Sequence, residues 1–237
     1  MAHPVFANTT QTRSDDRAGF ITKTYMHLAA AIIIFMGLES VLLNSAAGQK
    51  LGQSLMGHWI WVLGAYMIVS WLASSFVHSV QSKFGQYICL GIYIVAETVI
   101  FLPLLMIAQH TAAEAGLAAN SLIFRAAMIT LSGFLALTAI AFITRKNFSF
   151  LRGFLMWGFV LALILIGCSF LFGLNLGIWF SVAMVGLAGA AILYDTSNVI
   201  HEYGEDQYVG ASLQLFASFA LMLWYVLRIV ISLAGRE

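Results

Sequence analysis

Long apolar runs alternate with short polar ones along the whole chain. Apolar segments of spanning length fall at about 22–44, 58–79, 86–109, 121–144, 151–173, 176–199 and 209–233. Each is close to the roughly 20 residues that an α-helix needs to cross a ~30 Å hydrocarbon core. The breaks between them are short. The pattern therefore predicts an all-α integral membrane protein, with a polar N-terminal segment over residues 1–21 and seven transmembrane helices over residues 22–237. The longest silence is 42 residues without a charged side chain, between Arg152 and Asp195. As one helix it would reach roughly 63 Å, about twice the core thickness, so it must cross twice. The turn is expected at Gly173-Leu174-Asn175-Leu176-Gly177, which carries Asp195 to the far end of the second crossing.

Composition agrees with lipid as the solvent. The chain is 61% hydrophobic and 9% charged, where a soluble domain carries roughly 25% charged residues. A net charge of +1 with no basic stripe argues against nucleic acid as a partner. Cys89 and Cys168 lie inside apolar stretches and read as small core residues, with no disulfide framework or metal site. Residues 1–20 lack the apolar region that precedes a cleavage site, so the first helix is expected to act as an uncleaved anchor.

Lysine and arginine set the expected orientation. With the N-terminus inside, Arg13, Arg17, Lys23, Lys83, Arg145, Lys146 and Arg152 face inward and Lys50 alone faces outward, which predicts a cytoplasmic N-terminus. A complete seventh crossing would carry Arg228 and Arg236 to the outside. Trp59, Trp61, Trp157, Trp179, Trp224 and Tyr225 stand at segment ends and suit interfacial belts. Pro103 should kink the third segment, and Gly186-Leu187-Ala188-Gly189 should let a neighbouring helix approach the sixth.

Few ionisable groups interrupt the apolar segments: Glu39, Glu97, Arg125, Asp195 and Arg228, with His27 and His78 near segment ends. Glu39 and Arg125 are expected to reach the interface. Arg228 either closes a buried pair or reaches the outer surface, and Glu97 is deep enough to face an interior cavity. Asp195 stands apart, because Tyr194, Thr196, Ser197 and Asn198 crowd hydrogen-bonding groups around it and Asn198 shares its helix face. Such a carboxylate can hold a cation, relay a proton or latch a neighbouring helix. Enzyme readings fail on spacing. An intramembrane aspartyl protease needs a second intramembrane aspartate, and Asp206 is only 11 residues on, in a polar loop. A rhomboid-type serine protease needs a late helical histidine, but His201 falls in an expected loop. No His/Cys/Glu cluster has zinc-ligand spacing, and no cofactor is expected.

Ile192-Leu-Tyr-Asp195-Thr-Ser-Asn198-Val-Ile-His201, then Tyr208-Val-Gly-Ala-Ser-Leu-Gln-Leu-Phe216 and Leu227-Arg228, resemble the last two helices of the Bax-inhibitor-1 family. Thr144-Arg-Lys-Asn-Phe-Ser-Phe-Leu151 resembles that family's loop between its fourth and fifth helices. The resemblance implies a bundle with the last helix central, surrounded by six others. Its calcium-leak members carry one aspartate in each of the last two helices and an arginine in the second. Asp195 matches the first aspartate, but Ser218 occupies the position of the second, and the second segment has no arginine. Thr196-Ser-Asn-Val-Ile-His201 with Ser218 resembles the bacterial YccA-type branch. That implies a non-enzymatic inner-membrane modulator of the FtsH membrane protease, which would engage the polar N-terminal segment. The alternative is a pH-sensitive calcium leak or proton pathway centred on Asp195, with Ser218, Asn198, Glu97 and Arg228 as further candidates.

Overall fold

The structure, a computed structural model, describes residues 5–58, 82–173 and 176–235, with side chains from residue 16 onward. Among the described residues every regular element is a helix: α1 (Val5–Leu43), α2 (Ala46–Gly57), α3 (Lys83–Glu114), α4 (Ser121–Thr144), α5 (Leu151–Phe172), α6 (Gly177–His201) and α7 (Tyr208–Ala234). Six of them, α2 excepted, are long and apolar enough to cross a membrane, α1 over Asp16–Leu43. The expected second crossing, with Trp59, Trp61 and His78, lies outside the described residues.

Two local features differ from the expectation. α1 starts at Val5, so the polar segment and the first crossing form one continuous helix of 39 residues, roughly 58 Å long. No proline stands between Val5 and Leu43 to stop it. The break after the first apolar segment holds a short helix, α2, of 12 residues, too short to span. Ser45 starts it: its hydroxyl accepts the Gly48 N–H at 3.0 Å and so caps the first turn. Gly48 is required there, since a Cβ would stand 2.1 Å from the Leu42 carbonyl oxygen.

The long uncharged stretch folds as the hairpin its length demands. α5 ends at Phe172 and α6 begins at Gly177, with Gly173 at φ 66° and Gly177 at φ 61° supplying left-handed turns. α6 packs on α4, α5 and α7. Its small residues allow close approach: Leu137 of α4 lies 3.2 Å from the position of a Cβ on Gly189. Pro103 sits buried within α3, whose helix continues through it.

α7 packs against α1, α3, α4 and α6, and aromatic rings lock those contacts. Phe35 of α1 meets Phe101 of α3 edge to face at 5.2 Å and Phe216 of α7 at 5.8 Å. Trp224 meets Phe101 at 5.1 Å, and Phe134 of α4 meets Phe219 at 5.7 Å. These T-shaped pairs add directional attraction where lipid gives little hydrophobic drive between helices. Tyr225 is thus buried and Trp224 half-buried against this core, because α7 has neighbours on several sides. Trp157 and Trp179 are exposed, as a belt requires.

Candidate functional site

Asp195 lies in the second-last turn of α6 and is 2% exposed. Its Oδ2 accepts a hydrogen bond from the Ser218 hydroxyl of α7. A carboxylate in a lipid-embedded bundle is costly unless satisfied, and this bond ties the two helices that contact each other most extensively. The structure places Asn198 one turn along the same helix, 9% exposed, with its side-chain oxygen lacking a partner.

Near Asp195 stand a tyrosine and a threonine that the sequence pattern does not mark, beside Thr196, which it does. The hydroxyls of Tyr25 (α1), Thr138 (α4) and Thr196 (α6) are buried close together, none in hydrogen-bonding geometry with a partner. Tyr25 also feels the charge of Asp195. Three helices thus bring buried hydroxyls together. Tyr25 and Thr138, single hydroxyls far apart in the chain, carry no spacing signal and leave no mark in the sequence.

The end of α6 is held from two sides. From α1, the Arg17 guanidinium donates to the carbonyls of Val199 at 2.7 Å, Ile200 at 3.1 Å and Tyr203 at 2.5 Å. The last carbonyls of a helix lack intrahelical donors and carry the negative end of its dipole, so a forked cation satisfies both needs. Arg17 also stacks over Phe20 at 4.9 Å. From the α4–α5 connection, the Phe148 N–H donates to the Ser197 hydroxyl at 2.9 Å, and that hydroxyl reaches the Lys146 carbonyl at 3.4 Å. Arg145 just before it adopts φ 48°, left-handed backbone that a non-glycine residue seldom takes. Burial pushes the Tyr203 hydroxyl above its ordinary range, with Asp195 acting in the same direction.

A cavity of about 1030 Å³ leads to Asp195 between α5, α6 and α7. α5 contributes apolar residues such as Leu155, Phe159 and Leu163, while Asp195, Asn198, Gln214 and Ser218 line the polar part. α5 packs chiefly on α6, which leaves this gap beside α7. Tyr93 of α3 lines it too, but Glu97, one turn further on and 2% exposed, is not among its described lining. Glu97 instead neighbours Glu39 of α1 electrostatically. Arg228 is half-buried, stacked 5.9 Å from the Tyr225 ring, with no ion pair to a carboxylate among the described residues. Arg125 is exposed, consistent with an interfacial position. Glu39, expected at the interface, is 4% exposed. Its side chain turns inward instead, into the space between α1, α3, α4 and α7.

A family model described as "Inhibitor of apoptosis-promoting Bax1" matches residues 17–235. The chain is 38% identical over 121 residues to an uncharacterized protein of Pseudomonas aeruginosa, covering 50% of this chain and 53% of that one. It is 35% identical over 105 residues to the Escherichia coli protein "Modulator of FtsH protease YccA", covering 44% and 47%. It is 29% identical over 123 residues to "Bax inhibitor 1" of Schizosaccharomyces pombe, covering 49% and 44%. The matched stretch spans about half the length of each of these relatives.

Proposed function

The chain belongs to the Bax inhibitor-1 family, and from that premise we propose that it is a non-enzymatic regulator in a bacterial inner membrane, modulating an FtsH-type membrane protease. In this reading seven helices cross the bilayer, the last of them enclosed by the others, with the N-terminus in the cytoplasm. The observation that carries the reading is the Arg17 clasp. The polar N-terminal segment continues into the helix whose Arg17 holds the end of α6, one turn from Asp195. A partner that grips residues 5–16 therefore pulls on a helix joined to the Asp195–Ser218 latch. The name of the Escherichia coli relative points to the class of partner. Co-purification from native membranes tests this. The full chain should bring down an FtsH-type protease, and a chain lacking residues 2–16 should not. Equal recovery with both would remove the N-terminal segment from the mechanism.

A second reading is a proton or cation pathway, calcium included, through Asp195, and the large cavity reaching that carboxylate favours it. Here Asp195→Asn should change flux in proteoliposomes, and unchanged flux would end this reading.

A further inference from the structure

A second buried acid lies at the opposite end of the bundle. Glu39 and Arg17 are both on α1, 22 positions apart, which spans roughly 33 Å. Glu39 is 4% exposed, and neither of its carboxyl oxygens has a hydrogen-bond partner. It lines a cavity of about 300 Å³ between α1, α3, α4 and α7. The walls are apolar and aromatic, with Phe35, Phe101, Phe124 and Phe219 contributing rings. Asn44, Gln109 and Asn120 line its polar edge, where the Gln109 amide donates to the Asn120 side-chain oxygen at 2.8 Å. Among the described residues the ionisable neighbour of Glu39 is Glu97, another acid.

We propose that this cavity binds a small hydrophobic organic cation, a protonated amine whose ammonium meets the Glu39 carboxylate and whose apolar body packs among the phenyl rings. An ionised carboxylate buried without a partner is expensive, and an incoming ammonium offsets that cost while giving both oxygens donors. Phenyl faces attract the same positive charge. A hydrated inorganic ion would leave the ring-lined walls unmatched, whereas an amine with an alkyl or aryl body matches them. The volume lies at the lower end of the range for small-ligand pockets, about 300 Å³. The inference is independent of the Asp195 site and of the protease reading.

The test compares hexylammonium with hexanol, the same body without the charge, on the full chain in zwitterionic nanodiscs, with empty nanodiscs subtracting partition into lipid. Hexylammonium should bind at least about tenfold more tightly. Glu39→Gln should erase that preference, and Leu223→Trp, which fills the cavity from α7, should abolish binding with Glu39 in place. Asp195→Asn, at the other end, should leave both affinities unchanged. Equal affinities, no saturable hexylammonium binding, a preference that survives Glu39→Gln, binding that survives Leu223→Trp, or affinities altered by Asp195→Asn would each overturn the proposal.

Discussion

Replacing Arg17 by alanine removes three charged hydrogen bonds from the end of α6, to Val199, Ile200 and Tyr203. Bonds to a charged group contribute about 1.5–3 kcal/mol in net value, and a cation at a helix C-terminus about 0.3–1 kcal/mol. These contributions overlap, because all three bonds come from one side chain and the end of α6 can turn partly to water. We expect a loss of about 2 kcal/mol in the local stability of the last turn. Amide hydrogen exchange reads this loss directly, since local opening sets the rate. In Arg17→Ala, exchange at residues 199–203 should rise roughly 30-fold, at about 1.4 kcal/mol per tenfold. Exchange in the middle of α6, near Gly189, should not change. Arg17→Lys keeps the charge but not the fork, and should fall between the two. Unchanged exchange at 199–203 in Arg17→Ala would refute the clasp. A rise spread evenly along α6 would mean that Arg17 supports the whole helix rather than its end.

Other perturbations address separate parts of the molecule. Ser218→Ala should cost about 1–3 kcal/mol of thermal stability in the native chain but much less beside Asp195→Ala; equal costs in the two backgrounds would show that the latch is not what Ser218 contributes. Gly48→Ala should destabilise by about 1–3 kcal/mol, because its Cβ would meet the Leu42 carbonyl, and a neutral melting midpoint would contradict that close approach. Arg145→Gly should stabilise by about 1 kcal/mol by relieving left-handed backbone, so a lowered midpoint would count against strain there. Lys83 hydrogen-bonds Asp206 at 2.8 Å and holds that carboxyl below its ordinary range. Its folded-state value is thus depressed, and the stabilisation is present above the ordinary carboxylate value of about 4 and lost as pH falls through the folded one. The pair is exposed, so the effect is small. The midpoint difference between the native chain and Lys83→Ala should close on acidification, and a constant gap would show that the pair is not its source.

Much of this architecture is legible in the sequence because lipid imposes lengths. A 42-residue uncharged stretch can only be two crossings, and Gly173 and Gly177 mark the turn. Asp195 stands out for the same reason, as the charge that ends the silence. Ser218 came into view through the family resemblance, since a serine within an apolar helix carries no signal of its own. The clasp was hidden: Arg17 reads as one of several basic residues near a membrane end, and its acceptors are backbone carbonyls more than 180 residues away. Backbone acceptors leave no trace in side-chain pattern. Glu39 differs because position along one helix does not say which face it takes, and its face turns toward α3, α4 and α7. Tyr225 differs likewise, since a helix with several neighbours turns an end aromatic inward.

The proposal that the N-terminal segment engages a protease is tested most directly by the half-life of a membrane-protein substrate of an FtsH-type protease, measured in cells making this chain. The full chain should change that half-life, while a chain lacking residues 2–16, inserted in the membrane at an equal level, should leave it as in cells without the protein. An equal effect from both chains would contradict the account.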